Sequence, residues 1–290
     1  MTSLSVHNFL VLYKFIGGDE MCYNLKFDYV IKTTQKKRIA EGTLTPLDCL
    51  LMTLIRLRRG FALEDIAMMF GVSCSFASKV FYTYIQLLYL QFVRLREKMF
   101  TPRGAQPKSS LPRCLTPFTN YRVTLDVTSI KIQAPYHYRQ QGNTWSSYKS
   151  VNCVNYMVGC NKSGGTFFVS RGFEGAISDI ELFAKSGIID MLHPNDVILG
   201  DRGFTVQHLC DPVGAKVIYP PFLGDRERLS AEEELLTKKI AAGRVHVERL
   251  IRKIKCFLLL KRITNRMIPI LDQCFYVAAC LVNFDGPNAQ

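Results

Sequence analysis

Residues 196–204, Asp-Val-Ile-Leu-Gly-Asp-Arg-Gly-Phe, decide how the rest of the chain is interpreted. In this stretch the apolar run Val197-Ile-Leu199 ends at Gly200, and an acid, Asp201, follows at once. A short β-branched run that stops at glycine is typical of a buried strand that meets a turn. Open α/β sheets place their chemistry at the carboxyl ends of their strands. The stretch therefore predicts a functional carboxylate at a strand end.

Two further acids lie in segments that a fold can bring to the same place. Asp126 lies in a strand-like segment of alternating apolar residues, and Glu248 lies in a helix-like segment. The three acids are too far apart in sequence to be local ion pairs, and carboxylates are the ligands that hard divalent cations prefer. We therefore predict that Asp126, Asp201 and Glu248 bind divalent metal. An ordinary surface pair between Glu248 and Arg244 or Arg252, one helical turn away, is an equal alternative for that residue.

The composition is that of a basic globular protein. The chain has 290 residues, enough to bury a substantial core in two units, and 48% of them are hydrophobic. Its net charge of +13 favours a polyanionic partner, although a merely basic soluble protein has the same charge. The ten cysteines include no C-x-x-C pair, which disfavours structural zinc and favours reduced, mostly buried thiols in an intracellular protein.

The sequence predicts neither a secretory signal nor a membrane span. No basic region precedes the first apolar run at residues 9–12, as a signal peptide requires. The late apolar stretch 267–284 contains Asp272 and Gln273 and is short for a span. We expect a buried helix there and no membrane partner.

Helix signals predict a small all-α domain over residues 1–100. Thr45-Pro46 begins a helix that Gly60 ends, and a short helix that stops at Gly71 is followed by a longer one. The arrangement over about residues 44–97 resembles a helix-turn-helix, although a helical hairpin that only packs is the alternative. The residues that its second helix would present to DNA are Ser75, Ser78 and Lys79.

The dense prolines and glycines of residues 101–118 predict a linker, and residues 119–290 predict an α/β domain. Its expected order is three strands, a helix over 177–192, two strands and a long helix that Ser230 and Glu233 cap. An acid on the first strand, one after the fourth and one on a late helix give the order of an RNase H-like core. We expect a mixed five-stranded sheet with flanking helices.

Several pieces of residues 122–284 together resemble the DDE superfamily endonuclease domain of PIF/Harbinger-type transposases, the branch often joined to a THAP finger. Residues 44–92 likewise resemble the helix-turn-helix that precedes this domain in that family. The pieces that carry the resemblance are TWSSYK (144–149), FVS (168–170), GAISD (175–179), GDRGF (200–204), PPFL (220–223), LS (229–230) and IAAGRVHVER (240–249).

The resemblance implies that Asp126, Asp201 and Glu248 are a catalytic triad that holds two Mg²⁺ or Mn²⁺ ions. It implies cleavage of DNA at transposon ends and joining of the freed 3′-hydroxyl to target DNA, in the nucleus and by a homo-oligomer on DNA. The sequence departs from the family pattern because no zinc finger precedes the helix-turn-helix. Recognition of the ends is therefore expected to need a missing segment or a separate DNA-binding partner protein, or to have been lost.

Further residues have two interpretations each. Asp179 is either a secondary acid near the metal or a helix-capping residue, and Trp145 either stacks on a splayed base or is buried. We expect His246 to be packed or hydrogen-bonded. The candidate phosphate contacts are Lys149, Arg202, Arg249, Arg252, Lys253 and Lys255.

A domesticated, non-catalytic DNA-binding or scaffold protein is the alternative function. A general nuclease acting on RNA or hybrids has no sequence feature in its favour.

Overall fold

The computed structural model describes residues 2–25, 44–96, 114–261 and 263–285. Contacts divide them into two compact units. The helical unit contains the described residues up to Arg96 and the segment Lys255–Asp285, and the sheet unit runs from residue 114 to Ile254. The linker expected at residues 101–118 lies outside the described residues as far as residue 113.

The helices are mostly short, and the longest belongs to the second half of the chain. In chain order they are α1 (Val6–Phe15), α2 (Gly18–Cys22), α3 (Pro46–Arg59), α4 (Leu63–Phe70), α5 (Cys74–Arg94), α6 (Tyr138–Thr144), α7 (Asp179–Lys185), α8 (Gln207–Cys210), α9 (Ala231–Lys255) and α10 (Ile268–Leu281). The strands are β1 (Tyr121–Lys131), β2 (Trp145–Ser146), β3 (Val151–Cys160), β4 (Thr166–Val169), β5 (Phe173–Glu174), β6 (Val197–Leu199) and β7 (Lys216–Ile218).

The segment Lys255–Asp285 groups with the N-terminal helices, whereas the sequence analysis assigns it to the α/β domain. The reason is its α10 helix, which packs against α5 and brings the rings of Tyr89 and Tyr276 edge to face, with centroids 5.4 Å apart. An apolar helix must bury its surface, and its sequence does not say against which neighbour.

The stretch Asn265–Phe284 is apolar and long enough to cross a membrane, but 61% of it is buried inside the fold. The bent pair of helices α4 and α5, taken together, is also long and apolar enough.

The helices of the helix-turn-helix begin and end at the capping residues and glycines identified in the sequence. Thr45 caps α3 through a capping box with Asp48, and Gly60 ends that helix with a left-handed backbone, at φ +68°. Gly71, at φ +64°, ends α4, and Ser73 caps α5 by accepting a hydrogen bond from the backbone of Phe76. The angle between α4 and α5 is 102°, within the range of this motif.

The sheet unit is built on a mixed sheet with the strand order β2-β3-β1-β6-β7. β1 runs antiparallel to β3 and parallel to β6, and β6 runs parallel to β7. β4 and β5 both pair with β3, and β2 and β5 have only two residues each. The five longer strands thus have the spatial order β4-β3-β1-β6-β7. This arrangement confirms the α/β fold with an RNase H-like core.

Opposite faces of the sheet carry different cores. On one face Val123, Leu125 and Ile198 pack with α7 and the chain that follows β6. On the other face Leu199 packs with Ile240 of α9. This alternation places the two sides of each strand in different environments, as the strand pleat requires.

The helix expected over residues 177–192 is wrong in length. Ser178 caps α7, and the helix ends at Lys185. Gly187 follows with a left-handed backbone at φ +79°, and only a short 3₁₀ turn, Ile189–Met191, forms beyond it. The apolar periodicity continues past the glycine because these residues still face the core, not because the helix continues.

Candidate active site at the carboxyl ends of two parallel strands

Asp126 and Asp201 occupy matching positions on neighbouring strands. The parallel strands β1 and β6 pair Thr124 with Leu199, and each acid lies two residues beyond its member of that pair. Because side chains alternate along a strand, Asp126 follows the parity of the face that α9 covers, and Asp201 lies in the turn just after Leu199, a residue of the same face. Neighbouring strands are about 4.8 Å apart, so the register brings the two carboxylates close at one sheet edge.

Glu248 reaches the same region from α9. Ser230 and Glu233 close a capping box at the start of this helix, with backbone-to-side-chain bonds of 2.8 and 3.2 Å. Gly243 permits a close approach to β6, since a Cβ at this position would lie 2.9 Å from Cδ1 of Leu199. Val247 is fully buried whereas Glu248 is exposed, so Glu248 lies beside the buried stripe of the helix.

Arg244 connects the second and third acids. Its Nη1 lies 3.0 Å from Oδ1 of Asp201, and its Nη2 lies 3.7 Å from Oε1 of Glu248. The Arg244 side chain is only 18% exposed, whereas those of Asp201 and Glu248 are 56% and 55% exposed. The surface pair that the sequence allowed for Glu248 therefore exists, and it extends to Asp201.

The carboxyl of Asp126 lies in the electrostatic field of the same group. Its burial raises the pKa of Asp126 above the ordinary value of an aspartate, and the charges of Asp201 and Glu248 add to the rise. The backbone N–H of Val127, which donates to Oδ1 of Asp126 at 2.9 Å, opposes the rise, as does Arg244. The charges of Asp201 and Glu248 thus disfavour the charged form of Asp126, and Arg244 compensates in part.

Asp179 belongs to the edge of this group. It is the first residue of α7, where Ser178 is the capping residue, so it is not itself the cap. Desolvation raises the pKa of its carboxyl, Asp201 adds to the rise and Lys149 opposes it. These interactions place Asp179 close enough to Asp201 and Lys149 to respond to their charges.

The chemistry of the acids fits a hard divalent cation. All the candidate ligands are carboxylate oxygens, and the three acids with Arg244 carry a formal charge of −2 when deprotonated. However, no three Asp, Glu, His or Cys side chains in the described chain lie close enough together to hold one ion. The carboxylates are neighbours, and Arg244 lies between two of them. A second ion would need added negative charge, such as DNA phosphate, or the departure of Arg244.

The residues predicted to contact DNA are mainly at the surface. Trp145 is 46% exposed, so the interpretation that it is buried is wrong. Lys149 is exposed and its Nζ donates to Oγ of Ser129 on β1, at 2.6 Å. Lys253 and Ser78 are half-buried. The other predicted contacts are exposed: Arg202, Arg249 and Arg252 in the sheet unit, and Ser75, Lys79 and Lys255 in the helical unit.

His246 is a packed histidine, as the sequence analysis expects. It is buried, and its Nε2 lies 3.2 Å from Sγ of Cys114. Burial lowers the pKa of the imidazole, and Arg249 adds to this effect. The contact ties α9 to the chain just before β1, two residues from Glu248.

Comparison with known families agrees with the geometry. Residues 125–283, more than half of the chain, match the family described as DDE superfamily endonuclease. The chain belongs to this family. Residues 42–94 match the helix-turn-helix of DDE superfamily endonuclease, and no curated protein or solved structure matches the chain. Membership of the DDE superfamily endonucleases supports a transposase-like, DNA-cleaving function, and its helix-turn-helix implies binding to DNA.

The position of Arg244 between two acids and the bond from Lys149 to β1 were not predicted from the sequence. The spacing of one helical turn between Arg244 and Glu248 was a visible signal for the contact of Arg244 with Glu248. The contact with Asp201 depends on how closely α9 approaches β6. The small residue Gly243 next to Arg244 was the available signal for that approach.

Proposed function

We propose that this DDE superfamily endonuclease is a metal-dependent transposase. The observation that carries the proposal is the shared offset of Asp126 and Asp201 beyond the Thr124–Leu199 pair, with Glu248 delivered to the same group by α9. The three acids come from three separate elements and lie near one sheet edge, where an ion would have to draw them together because they do not lie close enough to share one. A purely structural role gives no reason for gathering carboxylates that raise the pKa of Asp126.

In this proposal Asp126, Asp201 and Glu248 hold Mg²⁺ or Mn²⁺, two ions in the complete complex. The bound ions would supply a nucleophilic oxygen at neutral pH and neutralise the charge of the leaving oxygen. Asp126 would fix the site from the rigid strand β1, while the more exposed Asp201 and Glu248 complete it from a turn and a helix. Arg244 would hold the last two carboxylates in the metal-free protein and would have to release them when the ions bind.

The substrate of the proposed reaction is a transposon end. The protein would cut there and join the freed 3′-hydroxyl to target DNA, as expected for a PIF/Harbinger-type, THAP-associated enzyme. We further propose that it works in the nucleus as a homo-oligomer on DNA and that a separate partner protein helps to recognise the ends. The resemblance supports these parts of the proposal, and the exposed cations of α9 support contact with phosphate.

The test is cleavage of plasmid DNA and strand transfer of an oligonucleotide with a free 3′-hydroxyl, with Mg²⁺, Mn²⁺ or EDTA. We expect products only with a divalent ion and expect Asp201→Asn to remove them. Asp190→Asn is the matched control, because Asp190 is an exposed acid in the 3₁₀ turn Ile189–Met191. Circular dichroism should show both variants folded. Full activity of Asp201→Asn would refute the proposal.

The Arg244 contact also favours a second candidate, a domesticated DNA-binding or scaffold protein without catalysis. A guanidinium that pairs with two of the three acids neutralises part of their charge without metal. Such a protein would bind DNA in a salt-dependent way and give no cleaved or joined product with any divalent ion. The same plasmid and strand-transfer assays therefore separate the two candidates.

A further inference from the structure

A group of large aromatic side chains is exposed on the sheet unit between β1 and β3. Tyr136, Tyr138, Trp145 and Tyr148, here called the aromatic surface, are 82%, 88%, 46% and 92% exposed. Elsewhere in the described chain, only Tyr23, Phe61 and Phe222 are aromatic residues of comparable exposure. Aromatic side chains are usually buried, so a concentration of exposed rings indicates a binding surface.

The backbone beneath these rings is held in place. Nδ2 of Asn152 donates to the backbone oxygen of Gln141 and to Oγ1 of Thr144, both at 2.9 Å, and Nε2 of Gln141 donates to the backbone oxygen of Pro135 at 2.9 Å. Trp145 itself pairs with Asn152 in the β2–β3 ladder. The rings are thus presented from an ordered backbone, which lowers the entropy that binding must overcome.

The segment of sequence that carries the aromatic surface contains cations and no acid, and Glu174, which accepts a hydrogen bond from Asn143 at 3.1 Å, lies just beyond it. Residues 127–173 contain no aspartate or glutamate, and their cations are Lys131, Arg139, Lys149, Lys162 and Arg171. Aromatic rings interleaved with cations bind single-stranded nucleic acid, because the rings stack on bases and the cations contact phosphates. An apolar protein partner would not need a segment of this length free of acids.

The aromatic surface adjoins the candidate active site. Lys149, next to Tyr148, bonds to Ser129, which lies three residues beyond Asp126 on β1. The charge of Lys149 also acts on Asp179, which in turn responds to Asp201. A strand bound on the surface would therefore lie near the acids.

We infer that the aromatic surface binds the unpaired bases of a DNA strand beside the candidate active site. The inference rests on the proposed function, because it identifies the form of the DNA substrate as locally single-stranded. The rings of Tyr136, Tyr138, Trp145 and Tyr148 stack on bases, and Arg139 and Lys149 contact the phosphates of the same strand.

The test uses the full chain and 20-nucleotide oligo(dT), with an abasic strand of equal length and charge as the comparison, in EDTA. Trp145 is the only tryptophan, so its fluorescence reports stacking directly. We expect quenching by oligo(dT) and much less quenching by the abasic strand. Alanine at Tyr136, Tyr138 or Tyr148 should weaken oligo(dT) binding by about 5- to 150-fold per stacked base, which corresponds to about 1–3 kcal/mol.

Two kinds of control separate stacking from charge. Tyr23→Ala removes a half-exposed aromatic ring of the helical unit and should leave the affinity unchanged. Lys149→Gln should weaken binding of both strands alike, since it removes a phosphate contact only. Equal affinity for the two strands would overturn the inference. So would tyrosine variants that bind oligo(dT) normally but sediment as smaller species, because the rings would then form an interface between copies of the chain.

The EDTA condition keeps this result independent of the proposed function. Base-dependent binding without any metal-dependent cleavage would support the aromatic surface and refute catalysis. Cleavage that depends on Asp201 without base-dependent binding would support catalysis and refute the role of the aromatic surface.

Discussion

Replacing Arg244 by glutamine should strengthen the binding of Mn²⁺ to the DNA-free protein. Arg244 holds Asp201 and Glu248 in the absence of metal, at 3.0 and 3.7 Å. An ion that takes up these carboxylates must first break both contacts, and the neighbouring positive charge repels it. Removal of the guanidinium should therefore raise metal affinity and at the same time lower the stability of the metal-free fold.

The size of the effect follows from the exposure of the acids. Both carboxylates are more than half exposed, and each such pair contributes about 0.2–1 kcal/mol, or about 0.4–2 kcal/mol for the two together. The buried Nε of Arg244 has no hydrogen-bond partner in the described structure, so it adds nothing to the free energy of these two contacts. The same free energy appears as an increase in Mn²⁺ affinity of about 2- to 30-fold.

Isothermal titration of Mn²⁺ into purified protein measures the affinity, and thermal unfolding in EDTA measures the stability. Arg252→Gln is the matched control, because it removes an exposed charge one turn on the other side of Glu248. Its affinity should change much less. Weaker Mn²⁺ binding by Arg244→Gln than by the control would refute the reasoning, because Arg244 would then support the metal-bound state.

Four other predictions concern the fold and the helix-turn-helix. Gly175→Ala should lower the free energy of unfolding in urea by about 3 kcal/mol or more, because its Cβ would lie 2.2 Å from the backbone oxygen of Thr144. The free energy of unfolding of Gly243→Ala, in contrast, should stay within about 1 kcal/mol of the wild type, because its Cβ meets only the movable ends of leucine side chains and alanine favours the helix by about 1 kcal/mol. Equal losses of stability at both glycines would contradict this view. Thr45→Ala should cost about 1 kcal/mol through loss of the α3 capping box, and an unchanged urea midpoint would show that the box does not stabilise the helical unit. Lys79→Gln should weaken duplex DNA binding and reduce the slope of log affinity against log salt by about 1, whereas an unchanged slope would exclude Lys79 from the phosphate contacts.

The elements that were predictable have signals that act over a few residues. Thr45 and Gly60 bracket α3, and Ser230 with Glu233 begins α9, because capping groups satisfy backbone bonds within one turn. The β3–β4 hairpin has a local signal of the same kind, a Gly-rich turn between two apolar runs. The two-residue strands β2 and β5 were not visible, since two residues are too few to show a period.

Features that depend on residues far apart in the sequence were harder to predict. The apolar pattern of α10 showed that it is buried but not that it packs with α5. The three acids could be selected by their place on expected elements, but the common offset of Asp126 and Asp201 appears only in the strand register. The bridge from Arg244 to Asp201 joins residues far apart in sequence, so helical spacing revealed only half of it.

The pairing of β1 with β6 has a consequence for how this activity can be lost. Because Asp126 and Asp201 share the same offset beyond the Thr124–Leu199 pair, one extra residue between Leu199 and Asp201 would move that acid out of step with Asp126 while every acid stayed in the sequence. A change in length at this turn is thus as damaging as removal of the carboxylate. Descendants of such a protein that have become inactive are best recognised by the spacing after β6 as well as by the identity of the acids.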